Sequence, residues 1–112
     1  VWTRRAVELL DECHAACRLE GRGRLPDLLA LAHQITDCNA AFFDAANAFR
    51  GCIAGIHEVL RRQGLLEGIW LLDPEERLSP GQQDEIERVC RAYPHLADDE
   101  FVRQNLDRWL KG

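Results

Sequence analysis

The sequence predicts an all-α fold, about five helices packed as an antiparallel bundle. Three observations predict it. Apolar residues recur at i, i+3 or i+4 along several stretches. Glycine and proline fall between those stretches rather than inside most of them. No segment carries a convincing strand pattern. The 112 residues are 46% hydrophobic and 29% charged, which suits one domain with a single modest core.

Thr3 is placed to cap a first helix over 4–19, with Val7, Leu10, Cys13 or His14, and Cys17 on one inward face. Gly21-Arg22-Gly23 ends it. Pro26 suits the first turn of a second helix over 26–43, whose inner stripe is Leu28, Leu31/Ala32, Ile35, Cys38/Asn39 and Phe42. A break is expected near Asp44 to Asn47. A third helix over 48–63 follows, with Phe49, Cys52/Ile53, Ile56 and Val59/Leu60 inward. Gly51 and Gly55 lie one turn apart on it, and their cost of about 1 kcal/mol each against alanine implies a close neighbour. Gly64 closes this helix.

Residues 65–78 are apolar, lack a period and contain Gly68 and Pro74, so they read as an extended connector packed on something. Ser79-Pro80-Gly81-Gln82 combines an N-cap, a first-turn proline and a capping-box glutamine. The fourth helix, 80–93, presents Ile86, Val89, Cys90 and Tyr93 inward and stops before Pro94. Asp98 opens a fifth helix over 99–110, with Val102, Leu106 and Trp109/Leu110 inward.

Several function classes are disfavoured by composition. The net charge is -5, which lacks the field that gathers nucleic acid, so no nucleic-acid partner is expected. No apolar run approaches the ~18 residues of a membrane span, so no membrane is expected either. No charged-apolar-small leader opens the sequence, and five cysteines is an odd number. Both point to a reducing cytoplasm, with Cys13, Cys17, Cys38, Cys52 and Cys90 as free, mostly buried thiols. Methionine is absent, so the chain reads as a fragment or a processed product.

Candidate sites weigh little. Cys13 and Cys17 at i, i+4, completed by His33 or Cys38, would make a metal set, but no second close pair exists. His14, His33, His57 and His95 fit no metal-binding spacing. Ser79 is committed to capping, and Cys52 and Cys90 lie on apolar faces. The acidic groups Glu75-Glu76, Asp84-Glu85-Glu87 and Asp98-Asp99-Glu100 stand near helix N-termini, where carboxylates are favoured electrostatically. Arg61-Arg62 sits at a helix C-terminus, the wrong dipole for an anion. Lys111 is the single lysine and lies in a terminal turn. No catalytic, cofactor or metal residue is assigned.

The segments Pro26-Asp27-Leu28-Leu29-Ala30-Leu31-Ala32 to Phe42-Phe43 and Ile56-His57-Glu58-Val59-Leu60-Arg61-Arg62-Gln63-Gly64-Leu65-Leu66 form a recognisable pair. With the Gly68 to Pro74 connector and Leu78-Ser79, they resemble the C-terminal helices of the dihydrodipicolinate synthase and N-acetylneuraminate lyase family. The resemblance implies a parent (β/α)₈ TIM barrel, an aldolase or lyase that forms a Schiff base with pyruvate or a related 2-oxo acid. Its barrel, lysine included, would precede Val1, and residues 4–20 would be the helix after the last barrel strand. Family members often carry lysine where His57 stands, and the tail from Pro94 has no general counterpart.

The expected role is therefore that of a non-catalytic region covering the missing barrel, in a homo-oligomer, with no cofactor of its own. Two rival readings stand beside it. One is an autonomous helical protein-interaction module; the other is a metal or thiol sensor built on Cys13 and Cys17.

Overall fold

A computed structural model describes residues 1–18 and 24–111. Those residues form five α-helices and no strand, the all-α class that the periodicity predicts. They are α1 (Thr3–Arg18), α2 (Leu25–Phe42), α3 (Cys52–Arg62), α4 (Gln82–Ala92) and α5 (Asp99–Leu110). Short 3₁₀ turns occupy Ala45–Asn47 and Pro94–Leu96. The predicted end of the first helix at Leu19, and its glycine stop, lie outside the described residues.

The core sits where α2, α3 and α4 meet. Cys38, Ala41 and Phe42 of α2, Val59 of α3, and Ile86 and Val89 of α4 are all buried, joined by Trp2 and Leu96. The predicted stripes of α2 and α4 thus face the core as expected, with Leu31, Ile35, Cys90 and Tyr93 half-buried around it. α2 breaks after Phe42, and Asp44, Ala48 and Phe49 all take positive φ (58°, 54° and 63°), so α3 begins at Cys52 rather than at 48. That turn carries Phe49 outward, 60% exposed, and Ile53 is exposed too. Both were expected inward. α3 buries Val59 as expected, together with Ala54, Gly55 and Glu58, and leaves Cys52, Ile56 and Leu60 half-buried.

Gly55 shows why the helices approach so closely. A Cβ there would lie 2.0 Å from the Phe42 carbonyl oxygen and 2.7 Å from Gln82 Nε2. Gly64 takes φ 80° at the end of α3, where its left-handed geometry lets Leu65 N–H reach the Leu60 carbonyl at 3.0 Å.

α1 departs most from expectation. It starts at Thr3, so Thr3 lies inside it and is not its cap. Trp2 stands in the cap position, its carbonyl accepting from Ala6 N–H at 3.0 Å, and an indole supplies no acceptor. The carboxylate of Asp98 does so from 94 residues away, accepting Arg4 N–H at 2.9 Å. Arg5 Nε also donates to the His95 carbonyl at 3.0 Å, and Glu12 reaches Arg24 at 3.7 Å. These ties turn the Arg5–Glu12 side of α1 toward the rest of the molecule. Val7 and Leu10 consequently face outward, 51% and 54% exposed, and Cys13 and Cys17 are exposed with them. At the other end, Val102 is buried and Leu106 half-buried, but Trp109 and Leu110 of α5 are exposed rather than inward.

The connector after α3 has no regular structure, as predicted. Leu65, Leu66, Ile69 and Leu71 are half-buried, whereas Trp70 and Leu72 are exposed. The molecule measures 51 × 37 × 22 Å with a radius of gyration of 15.9 Å, against ~13 Å for a compact domain of this length.

Candidate functional site

The most fully built polar site lies at the junction of α2, α3 and α4. Asp44 begins the break after α2, and its buried carboxylate accepts from Asn47 Nδ2 at 2.7 Å, Gly51 N–H at 2.9 Å and Ser79 Oγ. Burial works against its charge, yet these three donors outweigh it and hold the carboxyl below the usual aspartate range. Gln82, also buried, accepts Ser79 N–H on Oε1 at 3.0 Å. Its Nε2 donates to the carbonyls of Gly51 at 2.9 Å and Ala41 at 3.3 Å.

α4 begins at Gln82 with Gly81 at its N-cap, so Ser79 and Pro80 precede the helix rather than cap and open it. The Gln82 bond to Ser79 N–H expected of a capping box does form. Ser79 does not make the other half: its hydroxyl turns to Asp44 instead of the helix N–H groups. A Cβ on Gly51 would strike Gln82 Oε1 at 2.0 Å, so glycine is what leaves space for this knot. Asp44, with its carboxyl pushed down and its acceptor sites engaged, is a poor base for Ser79. The knot joins three helices and leaves no reactive atom free.

Two ion-pair groups extend the framework. Glu58, 2% exposed on its side chain, accepts from Arg61 Nε at 2.7 Å and Arg62 Nε at 2.8 Å. The Arg61 hydrogen bond, helped by Arg62, keeps its carboxyl low against the opposing effect of burial. Arg62 continues to Glu87 at 2.8 Å, and Glu87 to Arg91 at 2.7 Å. The Arg61-Arg62 pair is thus occupied by carboxylates. Arg88 grips Asp37 in a two-pronged pair, 2.7 and 2.9 Å, while Tyr93 Oη donates to the same carboxylate at 2.8 Å. The Arg88 hydrogen bond, with that of Tyr93, brings Asp37 down to about 2.

The remaining candidates stay apart. Among the described residues no three His, Cys, Asp or Glu side chains gather as a metal set. His14 and His33 are exposed, His95 Nε2 pairs with Gln34 Oε1 at 2.6 Å, and His57 Nδ1 is buried without a hydrogen-bond partner among the described residues. Cys38 is buried, and burial pushes its thiol up to about 11. Cys52 and Cys90 are half-buried, with burial raising Cys90 as well.

Cys13 and Cys17, expected among the buried thiols, are exposed because α1 turns that stripe outward. Asp84 and Glu85 lie in the first turn of α4, and Asp99 and Glu100 in that of α5, as capping electrostatics favours. Glu75 and Glu76 are exposed in the connector. Lys111 pairs with Asp107 at 3.1 Å.

Sequence reasoning missed the Asp44 knot because Ser79 lies 35 residues away from Asp44. The signals that pointed to it were the one-turn spacing of Gly51 and Gly55 and the glutamine of the capping box. No family model matches this chain, and no curated protein or solved structure matches it significantly.

Proposed function

We propose that the chain is the C-terminal, non-catalytic helical region of a lyase of the dihydrodipicolinate synthase and N-acetylneuraminate lyase type. Its parent barrel would act on pyruvate or a related 2-oxo acid through a Schiff base. One observation carries this reading: α1, amphipathic in sequence, turns Val7 and Leu10 away from its own helices. A helix following the last strand of a (β/α)₈ barrel lays its apolar side on the strands, and a bare stripe such as Val7 and Leu10 is what a barrel of that kind would cover. The broad, thin shape and the Gly64-Leu65, connector and Leu78-Ser79 succession support the same reading. Contacts between copies in a homo-oligomer would then fall to other exposed apolar residues, Trp70 and Leu72 among them.

The rival, an autonomous interaction module, draws support from the self-contained core of α2, α3 and α4. The reading frame upstream of Val1 separates the two. The lyase reading requires a barrel with a lysine late in its strands. Pyruvate with borohydride then adds mass to the joined protein and none to these 112 residues, whose single lysine is exposed and paired with Asp107. An unrelated upstream domain, or a joined protein that takes no label, overturns it.

A further inference from the structure

We propose that the cavity beside Trp2 is a binding site for an uncharged apolar molecule, or substituent, the size of one aromatic ring. This inference goes beyond the lyase reading and does not depend on it. The half-open cavity has a volume of about 170 Å³ and lies between Trp2, Ala6 and Leu9 at the start of α1, Ile35 and Phe42 of α2, and Leu96. Enclosed apolar cavities of ~150 Å³ accept benzene, and this one is similar in volume and mostly apolar, with one side open to solvent.

Among the described residues no acidic or basic side chain lines the cavity; its polar groups are the Asn39 amide, the Cys38 thiol, the Trp2 indole N–H and the backbone of Val1, whose α-amino group begins the sequence. Burial raises that thiol to about 11, so no side chain of the wall carries a charge at ordinary pH. A charged ligand would lose its hydration there without compensation. The aromatic wall is held firmly: the Trp2 ring meets Phe42 edge-on, with centroids 4.9 Å apart and planes at 90°. Trp2 adopts φ 53° to reach this place, a left-handed backbone costly for a bulky side chain. Such a conformation persists only where its surroundings over-determine it. Here the surroundings are Phe42 and the Asp98 tie that holds the adjoining first turn of α1.

The test uses fluorobenzene, followed by ¹⁹F NMR. The expected result is saturable one-to-one binding, with a Kd on the order of millimolar or tighter as suits so few ligand atoms. Ala6→Phe, which fills the rim, should weaken it at least tenfold while helical circular dichroism is retained. A second readout needs no variant. Fluorobenzene should slow alkylation of Cys38 several-fold and leave the exposed Cys13 and Cys17 unaffected. Absence of saturable binding, equal binding by a folded Ala6→Phe protein, or equal slowing at all three thiols overturns the proposal.

Discussion

The α2–α3–α4 junction and α1 are built by opposite means. At the junction, backbones touch at Gly55 and Gly51, Ile86 and Val89 are fully buried, and the engaged Asp44 and Gln82 fill the polar space. α1 fully buries none of its residues: Leu9 packs half-buried on the core, and hydrogen bonds and ion pairs at Arg4, Arg5 and Glu12 supply the other ties. Its Val7–Leu10–Cys13–Cys17 stripe faces outward. Stability therefore resides in one region, and surface for a partner in the other. A residue's apolar character does not decide which it serves, since Ile35 and Val7 read alike in the sequence.

The sharpest way to break this contrast is Gly55→Ala. Its Cβ would overlap the Phe42 carbonyl, a backbone atom that cannot swing aside, so a loss of about 3–5 kcal/mol is expected in denaturant unfolding. Val7→Ser, on the open face, should change stability by about 0.5 kcal/mol or less. Similar losses for the two would erase the distinction.

Glu58→Ala comes next. It removes the carboxylate that receives Arg61 and Arg62, and a loss of about 2 kcal/mol is expected, moderated because Arg61 can rehydrate. Glu58→Gln should recover part of it.

Acid should act on the same region. Asp37, Asp44 and Glu58 all have folded-state values below their ordinary ones. Their contribution is complete above the unfolded carboxylate range of about 4 and is lost as pH falls through their lowered folded-state values, about 2 for Asp37. Asp37→Asn should flatten that part of the stability–pH curve, measured by denaturant titration at successive pH values. An unchanged slope would show that the Arg88 and Tyr93 bonds contribute no linkage. The smallest effect is expected for Trp70→Glu, with Trp70 65% exposed on the connector. Helical content and stability should hardly change, while any concentration-dependent association in sedimentation should fall.

How far the sequence could be read follows from the range of the interactions. The stripes of α2 and α4 and the stops at Gly64 and Pro94 depend on neighbours three or four residues apart, and the structure keeps them. The packing role of Gly51 and Gly55 was legible as a cost needing a reason, though not as the Asp44–Gln82 knot that supplies it. Phe49 and Ile53 were misplaced because departures to positive φ at Asp44, Ala48 and Phe49 delay α3 and turn its first residues out. α1 was misoriented because its rotation is set by Asp98 and His95, more than 85 residues away, and not by its own pattern.

The distant cap on α1 has a bearing on synthesis. Arg4 is made long before Asp98, and at ~5–20 residues per second the separation of 94 residues amounts to about 5–20 s. Through that interval the first turn lacks its acceptor, and an isolated 16-residue helix is marginal in water. The first of these five helices to be made is thus expected to be among the last of them to settle. Its apolar stripe would meanwhile be open to whatever portion of the polypeptide had folded before it.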